Sequence, residues 1–285
     1  MYTIGMYNFH WMHRNLWENN KKGLLDMIVF MESHNIKSVL LPYGPTGADF
    51  SLHIPEMLLA TKRIKILLAL PAYGVLPEYA MKTFITAQRW SRDRLDLNLV
   101  AGNYRGEIEQ SVLSNYPWDT DVIDTHEKRV NITEKWMEVF TNLYQQYIKD
   151  YNDAVPFKMT TYVVGASDTT IRTANKYTDY IIINDLMLNE ETLSKITNAK
   201  LMMVIDPLIL ENPNNVSNVE YSEYTYTKNK KHPMSGTYDE VVNQIKEIAE
   251  KFNINDFIIH TDQKDISQIM RLVDELSLPF DKPNA

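Results

Sequence analysis

The stretch TKRIKILLALPAYGVLPEYAMKTFITAQRWSRDRLDLNLV, residues 61–100, holds a complete strand, helix and strand. Arg63 to Leu70 is a short run rich in Ile and Leu. It stops at Pro71, whose missing N–H cannot serve a sheet ladder. Glu78 to Ser91 carries the helical period, and Leu95 to Val100 returns to strand before Ala101-Gly102-Asn103 turns into a long loop. Strands that alternate with helices in this way form a parallel sheet.

The same alternation continues on both sides. Upstream, Tyr2 to Tyr7 is a strand and Lys22 to Ser33 an amphipathic helix, and a second strand from Lys37 to Leu41 ends at Pro42-Tyr43-Gly44. Downstream, a long helix runs from Thr125 to about Ile148. Four more strands follow at Met159 to Val164, Tyr180 to Asn184, Leu201 to Ile205 and Phe257 to His260, with helical patterns near 169–177, 188–196, 238–251 and 265–276. Eight strand and helix units predict one α/β domain over residues 1–285, a (β/α)8 TIM barrel. The competing architecture is an open doubly wound sheet, but no G-x-G-x-x-G opens a helix after the first strand, where Gly5 stands alone.

Composition narrows the chemistry. A chain of 285 residues, 44% of them hydrophobic, is long enough for one such barrel. With 37 acidic against 29 basic residues and a formal net charge of -8, it has no basic face for nucleic acid. There is no cysteine, which removes disulfides, thiolate metal sites and cysteine nucleophiles. The N-terminus lacks a signal-peptide layout and no apolar run reaches the roughly 20 residues that span a bilayer, so a soluble cytoplasmic protein is expected.

In a barrel of this kind the chemistry lies at the C-terminal ends of the strands. That filter selects Asn8, His10, Trp11 and His13 after strand one, and Tyr43 after strand two. It also selects Asn98, Asn103 and Tyr104 at strand four, and His260 and Asp262 at strand eight. Asn98 lies among apolar neighbours, and a buried amide needs a partner, either a ligand or nearby backbone. Gly165-Ala166-Ser167 precedes a helix, a place where free N–H groups favour an anion, although Ser167 or Asp168 can simply cap that helix. Arg129 opens the long helix, where a guanidinium either binds phosphate or is solvated. Neither H-x-H nor H-E-x-x-H occurs, so His10, His13 and His260 suggest no metal site, and no G-x-S-x-G elbow supports a serine nucleophile. Tyr221, Tyr224 and Tyr226, ahead of Lys228, Lys230 and Lys231, read either as a mobile lid or as an inert surface loop.

Several words of the sequence resemble the bacterial luciferase-like, flavin-dependent monooxygenases, closest to their alkanesulfonate branch. They are VLLPYGPTGADF (39–50), the residues 61–91 of the opening stretch, RLDLNLVAGN (94–103), TYVVGASDTTIRTANKYTDYIII (161–183) and SGTYDEVVNQIKEIAEKFNINDFIIH (235–260). The resemblance implies a reaction of reduced FMN (FMNH2, a co-substrate) with O2. A C4a-peroxyflavin would oxidise a small organic substrate, with a separate flavin reductase supplying the flavin and the chain pairing as a homodimer. It implies cofactor contacts from Ala69, Asn98, Gly102, Arg129, Gly165, Ala166 and Ser167, catalytic contacts from His10, Tyr43 and His260, and no metal. A deazaflavin-dependent oxidoreductase and a non-catalytic partner subunit are the alternatives that the same resemblance leaves open.

The chain also departs from the family's pattern. Asp93 stands where relatives have glycine, Arg129 where they have tyrosine, and Asp206 where the sulfonate branch places basic residues. The insertion after strand seven is shortened to about 207–235.

Overall fold

The computed structural model describes residues 1–8, 21–43, 50–101, 125–151, 158–210, 234–261 and 266–279. In chain order the elements are β1 (Thr3–Asn8), α1 (Lys21–Ser33), β2 (Ser38–Leu41), α2 (Ile54–Ala60), β3 (Lys65–Pro71), α3 (Pro77–Ser91), β4 (Leu95–Val100), α4 (His126–Tyr151), β5 (Thr161–Val164), α5 (Asp168–Tyr177), β6 (Tyr180–Asn184), α6 (Glu190–Ser194), β7 (Lys200–Ile205), β8 (Leu208–Ile209), β9 (Ser235–Gly236), α7 (Tyr238–Phe252), β10 (Asp256–Thr261) and α8 (Ser267–Leu276). Eight of the strands close a parallel barrel in the order β1, β10, β7, β6, β5, β4, β3, β2. Closure settles the architecture in favour of the TIM barrel over the open sheet, because β1 pairs with both β2 and β10.

Two apolar layers hold it. Leu67, Tyr162, Ile182, Met202 and Ile258 form a cluster built from strand residues alone, with Tyr7, Leu40, Tyr180 and Val204 beside them, and so fill the barrel interior. Strand residues of the alternate set, such as Ile66, Leu68, Leu97, Leu99, Met203 and Phe257, point outward into a larger cluster with Met31, Phe84, Met137, Val242 and Leu272 of the helices. This alternation follows from the two-residue period of a strand. Gly5 has a packing reason, since a Cβ there would come 2.5 Å from Ser38 Oγ where β1 and β2 meet.

Local signals place the ends of the elements. α3 begins with Pro77 in its first turn and ends at Arg92, whose φ is 53°, followed by Asp93 at φ 67°. Asp93 therefore adopts a left-handed backbone, which Asp tolerates better than most residues, and Arg92 shares that conformation, which its type does not announce. The buried Gln88 carboxamide grips the Leu95 backbone, donating to its carbonyl and accepting its N–H, and so sets the start of β4. Pro71 is the last residue of β3 and lies level with Val100 of β4. α7 starts with a reciprocal capping box between Thr237 and Glu240 and stops at Asn253, φ 52°.

Beyond the expected barrel, the two ends of the connection after β7 pair with each other. β8 and β9 form a two-stranded parallel sheet, in which Leu208 N–H donates to Met234 O at 2.9 Å and Leu210 N–H to Gly236 O at 2.8 Å. The shortened insertion therefore leaves and returns through one clamp. Among the described residues no helix is long and apolar enough to cross a membrane.

Candidate active site at the C-terminal end of the barrel

The interior of the barrel is plugged from below. At the N-terminal end, Asp96 is buried and ion-paired to Lys65 Nζ at 3.0 Å, and it accepts the Thr160 N–H at 3.1 Å. Burial pushes its carboxyl above the ordinary range, against the lowering influence of Lys65 and Thr160. Above this pair Tyr162 stacks on Tyr180, with centroids 4.9 Å apart and planes at 16°. Burial and the carboxylates around it push the Tyr180 phenol up to about 12, and Tyr162 is raised further, so both rings stay neutral. The barrel is thus a packed core at this level, and the C-terminal ends of the strands are where a barrel of this kind carries its site.

At that end one wall comes from β3, β4 and β5. Ala69 of β3 lies level with Asn98 of β4, which lies level with Tyr162 of β5. Asn98 is 1% exposed, and its Oδ1 accepts no hydrogen bond from the described residues. An acceptor enclosed in this way is costly unless something outside the chain donates to it. Two residues beyond Tyr162 on the same face, Val164 is 39% exposed and lines the opening.

Next to Val164 the chain turns through Gly165, φ 131°, whose N–H donates to Ile182 O at 3.0 Å. Ser167 then caps α5, its Oγ accepting the Thr170 N–H at 3.2 Å. Ser167 is therefore a helix cap, and Gly165 and Ala166 form the turn that leads to it.

Arg129 is not solvated. It is 4% exposed and its Nε donates to the carbonyl of Ala101, the residue after β4, at 3.0 Å. The guanidinium thus reaches back from the first turn of α4 to the exit of the strand that carries Asn98.

The other wall stands across the barrel. β10 is four strands from β4 in either direction round the ring, and it carries His260. Nδ1 of His260 lies 3.3 Å from Asp206 Oδ2, both side chains being nearly buried. Tyr7 of β1 stacks against the imidazole, with centroids 5.0 Å apart and planes at 28°. Tyr43 follows β2 by two residues and is half-buried at the same end of the barrel. His10 and Gly102 lie outside the described residues, as do Trp11, His13, Asn103, Tyr104, Asp262 and the tyrosines and lysines of the insertion.

Asp206 and Tyr7 are the members of this wall that residue-by-residue reading misses. Tyr7 was within reach of it, since Gly5 and Tyr7 share the inward face of β1 by period two. Asp206 was visible only as a departure from a pattern, because the residue it meets is 54 positions away.

No family model matches the chain. Solved structures do. A riboflavin lyase with modified FMN and riboflavin superposes with a TM-score of 0.72 at 11% identity, covering 99% of this chain and 94% of that one. A long-chain alkane monooxygenase gives 0.69 at 11% identity, covering 96% and 90%. An F420-dependent secondary alcohol dehydrogenase in complex with an F420-acetone adduct gives 0.67 at 14% identity, covering 96% and 98%. The chain therefore has the (β/α)8 barrel fold of these enzymes over nearly its whole length.

Proposed function

We propose that the protein is a flavin-dependent monooxygenase that binds reduced FMN in the C-terminal bowl of the barrel and uses O2 to oxidise a small organic substrate. The observation that carries this reading is Asn98, a buried acceptor with no donor from the described residues, set in the strand wall beside an apolar opening. The pyrimidine edge of an isoalloxazine offers N–H donors and needs an apolar slot for its rings, and Asn98 with Ala69 and Val164 supplies that combination. The flavin-binding and monooxygenase structures that share the fold support the same class of chemistry.

Residue roles follow from position. Asn98 and Ala69 face the ring system. Gly165, Ala166 and Ser167 offer the start of α5 to the phosphate, with Ser167 exchanging its capping bond for one to the anion. Arg129, already at the exit of β4, adds a guanidinium to the same side, and Gly102, outside the described residues, is a further candidate cofactor contact. When bound, reduced flavin supplies the electrons that activate oxygen. The residues of the chain hold it, exclude water from below through the Tyr162 and Tyr180 plug, and exchange protons from the opposite wall through His260, with Tyr43 after β2 and His10, outside the described residues, as further candidates.

Reduced flavin would arrive from a separate reductase. A second copy of the chain would cover the apolar side chains exposed after β2 and β3, among them Leu52, Leu59, Leu76, Tyr79 and Trp90.

Titrating the purified protein with FMN, reduced FMN and a deazaflavin, and following oxygen uptake with photoreduced FMN, tests the reading. Binding of reduced FMN with oxygen uptake supports it. Preference for the deazaflavin without oxygen uptake would move the assignment to a deazaflavin-dependent oxidoreductase, and absence of binding by either would reduce the chain to a non-catalytic barrel.

A further inference from the structure

The ends of β7 and β10 bring a carboxylate to an imidazole. Asp206 directly follows β7 and is 4% exposed, and its Oδ2 lies 3.3 Å from His260 Nδ1. The backbone on both sides of it is held. Ile205 pairs with Ile259 in the barrel, and Leu208 pairs with Ser235 in the small sheet that closes the insertion. Tyr7 of the neighbouring β1 stacks on the imidazole. With a carboxylate oxygen 3.3 Å from Nδ1 and a phenol stacked on one face, the ring presents Nε2 at the edge away from Asp206.

We propose that Asp206 is a positioning residue that keeps the neutral His260 protonated on Nδ1, and so makes Nε2 the proton-exchanging atom of the bowl, on the wall opposite Asn98. In the exchange an N–H bond forms at Nε2 as an X–H bond of the bound molecule breaks, the electron pair staying on X. The Asp206 carboxylate balances the imidazolium charge until the proton passes to product or water. The inference rests on the reading of this bowl as the reaction site. Asp206 from β7 and Tyr7 from β1 are titratable side chains that the structure sets against the ring.

The test is a nitrogen-15 NMR titration of the imidazoles in the flavin-free protein, which has seven histidines, with the His260 signals assigned by their loss in His260→Gln. The expected result is an Nδ1–H tautomer for neutral His260, in contrast to the Nε2–H form that free imidazole side chains favour. Asp206→Asn should lower the His260 titration midpoint by about one pH unit, and Asp206→Glu should restore most of it. An Nε2–H tautomer in the wild-type protein overturns the proposal without recourse to any variant, and so does a midpoint that Asp206→Asn leaves in place. Because the measurement uses no flavin, its outcome is independent of whether FMN binds.

Discussion

Arg129 Nε donates to the carbonyl of Ala101 at 3.0 Å, so the first turn of α4 is tied to the exit of β4 across a connection of more than 20 residues. A buried hydrogen bond from a charged donor is worth about 2 kcal/mol, and its loss leaves the carbonyl without that partner. Arg129→Met should lower the unfolding free energy in urea by about that amount. Calorimetric titration with FMN separates the second role. A tenfold or larger loss of affinity marks Arg129 as a phosphate contact, whereas unchanged affinity confines it to the joint.

Asn98 should show the opposite balance between binding and stability. Since its Oδ1 accepts no hydrogen bond from the described residues, replacement by Leu removes a desolvated acceptor and adds apolar contact of similar volume. The thermal midpoint of Asn98→Leu should therefore hold or rise while FMN affinity falls at least tenfold. A midpoint several degrees lower than wild type would show that the amide serves the free barrel instead.

At the floor of the barrel, Lys65→Met leaves Asp96 buried without its ion pair, which should cost about 2–3 kcal/mol, less than a fully buried pair because Lys65 is partly solvated. Burial holds the Asp96 carboxyl above its unfolded value, so folding takes up a proton. That contribution is present below the unfolded value near 4 and is lost as pH rises through the higher folded value. The variant raises the folded value further, so its deficit should be small near pH 4 and grow toward pH 8. Urea melts at several pH values check the slope, and a deficit that shrinks with pH contradicts the assignment.

Glu32 should behave with the reverse sign. It sits on α1, and its Oε1 accepts the N–H groups of Lys62, Arg63 and Ile64, just ahead of β3. Burial pushes its carboxyl up, but the three amides and the Arg63 charge outweigh that and hold it below the ordinary range. A depressed carboxylate contributes stability above its unfolded value and loses it as pH falls through the folded one. Glu32→Gln should therefore be less stable than wild type above about pH 5, with the gap closing below about pH 4. Thermal melts across that window measure it.

How much of this was legible depends on the distance over which each feature is specified. The limits of β4 and β6 follow from their own residues, as does the left-handed backbone at Asp93. The barrel followed from counting units, since eight parallel strands with their helices have one compact closed arrangement. The proposed site uses residues that the sequence offers on or just after the strands, Asn98 within β4, Tyr43 after β2 and His260 near the end of β10. Ser167 reads in sequence as either a cap or an anion contact, and in the structure it caps α5. At Arg129 the sequence offers a phosphate ligand or a solvated charge, and neither entails a side chain folded back onto Ala101.

What the sequence determined by itself was the period and punctuation of each unit, because strand and helix preferences act over a few residues and Pro, Gly and Asp mark their ends locally. From these came the barrel, its open end and the candidate wall at Asn98. Only the tertiary structure decided which side chains meet. Closing the ring brings Asp206 to His260, and Tyr7 to the same imidazole from the far end of the chain. It also puts Lys65 against Asp96 and leaves Asn98 Oδ1 without a donor among the described residues. These pairings depend on the register of β1, β3, β4, β7 and β10 around the ring. Register is set by packing over the whole interior, which no stretch of residues encodes alone.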